Sequence, residues 1–219
     1  MRSPVLALLL FTGSLAGAQS LSQADLKNLL AKIRERRTAA PDVHASFQEQ
    51  KTIHLLNKPI VSSGKLWFHA PNKFRREIGG NSPSTTVSNG SDLWIYYPNF
   101  KSAEHYALGK RSPVDAVIAA INTALNLENV ETTFHISAAK AGDGYDLHLL
   151  PRSPSMKRMF QQFDVRLNSD LTADRTDMIQ PNGDQIVTTY SNQTRAPIPE
   201  STFEFKPPAG VEITNPLGR

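Results

Sequence analysis

The chain predicts an α+β fold, with one strongly curved antiparallel sheet and a small number of helices on a single face. Three observations carry this. Most of the chain breaks into short segments whose apolar residues alternate with a period of two. Hairpin-length turn signals separate them, at Asn57-Lys58-Pro59, Pro71-Asn72, Ser88-Asn89-Gly90, Gly142-Asp143-Gly144 and Pro181-Asn182-Gly183-Asp184. Only two stretches carry the spacing of an amphipathic helix.

In order, residues 1–18 are expected to be a cleaved export signal: Arg2, an apolar run from Val5 to Phe11, and a small-residue site at Ala16-Gly17-Ala18. That run is too short for a bilayer span, and nothing later approaches the roughly 20 apolar residues a span needs. The expected product starts at Gln19, is exported from the cytoplasm and has 201 of the 219 residues, enough to bury one core as a single domain over 19–219. The chain has no cysteine, which excludes disulfides, thiolate metal sites and a lipidated cysteine at the cleavage point. Loss of Arg2 leaves 23 Lys and Arg against 20 Asp and Glu, a net +3 without a basic block, and no nucleic-acid partner is expected.

The first helix opens at Ser22-Gln23-Ala24-Asp25, with a capping hydroxyl three residues before a carboxylate. It buries Leu26, Leu29, Leu30 and Ile33, and should run to about Thr38 before Pro41. Strands are expected at His44 to His54, Ile60 to His69, Lys73 to Ile78, Thr85 to Ser88, Leu93 to Tyr97 and Ser102 to Ala107. A second helix opens at Ser112-Pro113-Val114-Asp115, with a capping serine, proline at the first helical position and an acidic residue near the positive end of the dipole. Its stripe is Val114, Val117, Ile118, Ile121 and Leu125. Strands then resume at Thr133 to Ala138, Tyr145 to Leu150, Phe160 to Leu167, Thr172 to Ile179 and Gln185 to Ser191, with Met156 and Met159 in a loop between two of them. About eleven strands in one domain curve into an open or closed barrel. A curved sheet covered by two helical stripes encloses a volume lined by apolar groups, which is either an ordinary packed core or a site for an apolar ligand.

Strand phase selects the inward set. If Leu66, Phe68 and Ala70 face the volume, a strand continuing in phase past Pro71 turns Phe74, Arg76 and Ile78 inward. Leu93 and Ile95 join them, and Trp67 and Trp94, out of phase, cover the outer face. Six histidines, at 44, 54, 69, 105, 135 and 148, lack metal-site spacing, so no metal is expected. His148 shares a strand face with Asp146, yet there is no nucleophile elbow and no supported Ser-His-Asp order. No enzyme and no cofactor is expected.

Four stretches in order resemble the LolA family of periplasmic lipoprotein carriers. They are Asp25 to Ile33 leading to His44-Ala45-Ser46-Phe47; Ser63 to Phe68 leading to Pro71-Asn72-Lys73-Phe74; Val87 to Pro98; and Phe203 to Val211. The resemblance implies an incomplete antiparallel barrel with helices as a lid over a hydrophobic cavity. It implies an acylated lipoprotein or lipid as cargo, an inner-membrane ABC-type releasing complex, an outer-membrane receptor, and a monomeric carrier. The lid is expected to use Leu26, Leu30, Ile33, Val117, Ile118 and Ile121, and the sheet side Phe47, Leu66, Phe68, Phe74, Ile78, Leu93 and Ile95. The family pattern usually has an arginine just before the proline of the third strand region, where this chain has Ala70, and an aromatic where it has Arg76. Arg76 is therefore a candidate for the lid contact that Ala70 cannot make, and the alternative is a surface arginine paired with Glu77 or Asp92. The run from Lys51 to Gly64 resembles divergent members, some of which carry other lipids. A shuttle for another acylated lipid or glycolipid is thus a second reading, and a periplasmic sensor that binds a signalling partner is a third.

Overall fold

The computed structural model describes residues 20–109, 127 and 130–216. The expected export signal and the second expected helix, with Val117, Ile118 and Ile121, lie outside the described residues.

Helix α1, Gln23–Ala39, begins where its cap chemistry places it: Ser22 Oγ accepts from the Asp25 backbone N–H at 3.1 Å and donates to the Asp25 carboxylate at 2.6 Å. Asp25 sits at the positive end of the dipole and Arg36 and Arg37 at the negative end. The chain then enters one sheet of twelve strands among the described residues: β1 Asp42–Thr52, β2 Ile60–His69, β3 Lys73–Ile78, β4 Ser84–Ser88, β5 Asp92–Tyr97, β6 Ser102–Ala107, β7 Phe134–Ala141, β8 Gly144–Pro151, β9 Gln162–Leu167, β10 Ala173–Ile179, β11 Gln185–Thr194 and β12 Glu212–Thr214. The spatial order is β12-β6-β5-β4-β3-β2-β1-β11-β10-β9-β8-β7, so β1 and β11 meet in the middle and the sheet stays open between β12 and β7. This is an incomplete barrel.

Several boundaries differ from the sequence expectation for local reasons. β1 starts two residues early because Asp42 pairs with His69 beside the Ala70 N–H to Pro41 carbonyl bond. It stops at Thr52, since the His54 N–H donates to Asp184 Oδ1 at 2.9 Å instead of joining the ladder. The stretch expected as a loop around Met156 is a helical turn, Pro154–Lys157, capped by Ser153. The N–H groups of Met159 and Phe160 still bond back to Met156, which delays β9 to Gln162. β12 has no counterpart among the expected strands, and it makes the sheet not wholly antiparallel: it lies parallel to β6, through the pairs Glu212↔Ser102 and Thr214↔Glu104. Three residues show no readable period, and a parallel partner requires a long crossover rather than a hairpin.

Register assigns the faces. Glu49, Thr188, Thr176, Val165, Leu147 and Ala138 form one continuous row from β1 to β7 on the face that carries α1, here the inner face. There α1 buries Leu26, Leu29, Leu30 and Ile33 in a core with Phe134, Leu147, Leu149, Val165 and Leu167, and Met156 fills part of it. Leu149 and Phe134 are wholly inaccessible and Ile33 is 1% exposed, so α1 is bound into the larger core of the molecule.

Candidate ligand-binding face

The remaining inner face, over β1 to β6, holds a second and separate apolar cluster. Phe68 on β2 faces Phe74 on β3, Phe74 faces Ser88 on β4, and Ser88 faces Leu93 on β5. Phe68, Phe74 and Leu93 are buried, with Val43, Ala70, Ile95, Tyr106 and Leu108 packed around them. Leu66, opposite Ala45, and Phe47, opposite Gly64, continue the same face, and Ile78 pairs with Gly64 at its far end. The sheet-side residues and Ala70 thus share one face, while Leu26, Leu30 and Ile33 face the same side but belong to the core over β7 to β10.

Polar groups interrupt this lining. Arg76 faces inward and donates from Nη2 to Glu49 Oε2 at 2.6 Å, with its guanidinium carbon 4.4 Å from the centre of the Phe47 ring. The expected alternatives are engaged elsewhere, Glu77 with Arg75 and Asp92 with His105. A missing side chain makes room for this stack. A Cβ at Gly64 would collide with the Glu77 carbonyl oxygen and lie 2.8 Å from Phe47 Cζ. Glu49 is absent from the residues expected on sequence grounds, although the alternation that turns Phe47 inward turns Glu49 inward too. Further along, Tyr106 Oη donates to Glu104 at 2.6 Å. Burial first, then that bond and the neighbouring charge, push the phenol up to about 12, and Tyr97 is raised by burial and by the same carboxylate. An amphiphile on this face would meet apolar rings with fixed polar groups set among them.

The outer face is of a different kind. Trp67 stacks on His44 with centroids 4.9 Å apart, and Trp94 on His105 at 4.2 Å. Three His-Asp pairs lie here: His69 with Asp42, His105 with Asp92, and His148 with Asp164. His148 and Asp146 share a face of β8 as expected, but the partner of His148 is Asp164, directly opposite it on β9, and Asp146 turns to Arg166. Among the described residues no hydroxyl bonds to any of these three imidazoles, and no group of three His, Asp or Glu side chains gathers at a metal-binding distance. No described helix is long and apolar enough to cross a membrane.

The sequence profile of the outer membrane lipoprotein carrier protein LolA matches residues 39–206. The chain belongs to the LolA family. The matched stretch runs from the end of α1 through every strand but β12. An outer-membrane lipoprotein carrier protein of Erwinia tasmaniensis is 26% identical over 206 residues, covering 94% of this chain and 93% of that one. One of the same name from Yersinia pestis bv. Antiqua is 26% identical over 208 residues, covering 93% and 94%. An uncharacterized conserved protein of Thermus thermophilus shares the fold, with a TM-score of 0.53 at 11% identity, over 87% of this chain and 99% of that one.

Proposed function

We propose that this LolA-family protein is a periplasmic carrier, not a catalyst, whose residues 19–219 act as one domain to shield the acyl chains of lipoproteins between the inner and the outer membrane. An inner-membrane ABC-type complex would load it, and an outer-membrane receptor would take its cargo. The observation that carries the reading is the inner-face cluster of Phe68, Phe74, Leu93 and Ile95, which lies outside the core that α1 closes. Each methylene moved from water onto such a face is worth about 0.8 kcal/mol, so an acyl chain gains much by leaving water and a lipoprotein cannot cross an aqueous space unshielded. Affinity comes from area, while the Glu49–Arg76 pair limits the depth of purely apolar lining. A second reading, a shuttle for another acylated lipid or glycolipid, draws support from that same pair, since it sets hydrogen-bonding groups beside the acyl-binding rings.

A fluorescent fatty-acid probe should bind with low-micromolar or tighter affinity, and Ile95→Asp should weaken it about tenfold or more by placing a carboxylate among the rings. Failure of every acyl probe to bind would overturn the reading. Mass spectrometry of lipids extracted from the exported protein separates lipoprotein from glycolipid cargo.

A further inference from the structure

The β1–β2 hairpin runs past its neighbour. Ile78 is the last β3 residue to pair with β2, at Gly64, so Ile60 to Ser63 project beyond it, and among the described residues only the Gly79 N–H to Ser63 carbonyl bond holds them on that side. The hairpin end exposes four large aliphatic side chains: Leu55 is 88% exposed, Leu56 49%, Ile60 50% and Val61 57%. Single exposed aliphatics are ordinary, but four within seven residues form a patch that water penalises. The backbone presenting them is fixed. Asp184 accepts the His54 N–H at 2.9 Å at the base, and the Leu56 N–H bonds to the Ile53 carbonyl at 2.9 Å to close the turn.

We infer that this hairpin end is a membrane-docking tip that inserts its aliphatic side chains into an anionic phospholipid surface. Two features select a lipid surface over a protein groove. Ile60 and Val61 are consecutive on β2, opposite Lys51 and Gln50, so they project to opposite faces of the hairpin. A protein groove covers one face of a ribbon, whereas the headgroup and acyl boundary of a bilayer surrounds both. Charge agrees: from Lys51 to Lys65 the chain has lysines at 51, 58 and 65 and no carboxylate, against the single negative charge of Asp184, which accepts the His54 N–H at the hairpin base. Lysines flanking an apolar tip match a surface of anionic headgroups. The tip extends from the end of the sheet at which Phe47 and Ile78 face inward, so docking would bring that end of the ligand-binding face to the lipid. The inference goes beyond the carrier reading and does not depend on it.

The test is flotation of the purified protein with phosphatidylglycerol vesicles and with phosphatidylcholine vesicles, at low and at high salt. Wild type should float with phosphatidylglycerol, and Leu55→Ser with Leu56→Ser should weaken this about tenfold or more. Lys51→Gln with Lys58→Gln should cost roughly fivefold per lysine at low salt and abolish the preference for the anionic lipid. Ile60→Thr alone and Val61→Thr alone should each weaken flotation, as insertion on both faces requires. Acyl-probe affinity should stay at the wild-type value in all of these variants, so failure of the tip is distinguishable from failure of the acyl-binding face. Flotation of the Leu55→Ser with Leu56→Ser variant at wild-type strength would overturn the inference. So would a wild type that floats with neither vesicle, or one that self-associates through the tip in sedimentation without binding lipid.

Discussion

Arg76 is the inward cation of β3, and its place depends on three other residues. Phe47 offers the ring it lies over, Glu49 the carboxylate it donates to, and Gly64 the room for both. Alternation along β3 makes its inward direction legible, because it shares a phase with Phe74. Its partner is not legible: Glu49 is 27 residues away, and Glu77 and Asp92 are equally acidic and nearer. Strand order decides between them. The side chains of Arg76 and Glu49 are 28% and 22% exposed, so the pair is partly screened and its coupling is modest. Arg76→Leu should destabilise the protein by about 1–2 kcal/mol, mostly by leaving Glu49 unpaired, and Glu49→Gln in the same chain should recover about 1 kcal/mol. Urea denaturation of the two single variants and the double variant measures this, and a coupling of zero would place the two groups in solvent. On the carrier reading, Arg76→Leu also adds apolar lining and should slow acyl release into acceptor vesicles.

At the scale of elements, α1 shows the difference between finding a buried stripe and knowing what covers it. The spacing of Leu26, Leu29, Leu30 and Ile33 identifies the stripe, and Ser22 and Pro41 bracket the helix close to where it starts and stops. Periodicity does not say whether that stripe closes a ligand site or a permanent core. Packing favours a core, because the stripe meets Phe134, Leu147 and Val165, all at most 1% exposed. Leu30→Glu should therefore act on the fold before it acts on any ligand, at a cost of about 3–5 kcal/mol and a fall in Tm of roughly 10 °C. Melting followed by circular dichroism checks it. A variant that melts like wild type would make α1 a detachable cover.

At the scale of the whole molecule, the chain after β11 ties the sheet together from outside. The Ile198 N–H donates to Asp42, Lys73 Nζ donates to Glu200 at 2.6 Å, and Arg75 donates to the Thr202 carbonyl. Phe203, 2% exposed, packs on His69, and Phe205 sits against Trp94 and Tyr96 before β12 joins β6. The Lys73 bond is the main reason the Glu200 carboxyl is held below its ordinary value, and burial opposes it. A depressed carboxyl contributes stability that is present above its unfolded pKa and lost as pH falls through the folded one. The Lys73–Glu200 pair should help hold the segment at neutral pH and stop doing so as pH drops through and below the usual carboxylate range. The loss is small because Glu200 is largely exposed and other contacts remain, so protease sensitivity should rise modestly with acid. Glu200→Gln should reduce that acid dependence and be cut somewhat more readily at pH 7. Equal cleavage of wild type and Glu200→Gln at both pH values would show that the ion pair contributes nothing to holding the segment.

The amino-acid sequence by itself determined what local forces decide: the cap and stripe of α1, the strands from Ile60 to His69, Lys73 to Ile78 and Ser102 to Ala107, and the outward direction of Trp67 and Trp94. These follow from side-chain period and turn chemistry, which act over a few residues. Only the tertiary structure decided that the inner face divides into two apolar clusters, that Glu49 holds Arg76, that Asp164 holds His148, and that three residues near the C-terminus add a parallel edge strand. Each of these joins groups far apart in the chain. Their pairing depends on strand order and register, which arise when the whole sheet buries its apolar face at once and which no local pattern encodes.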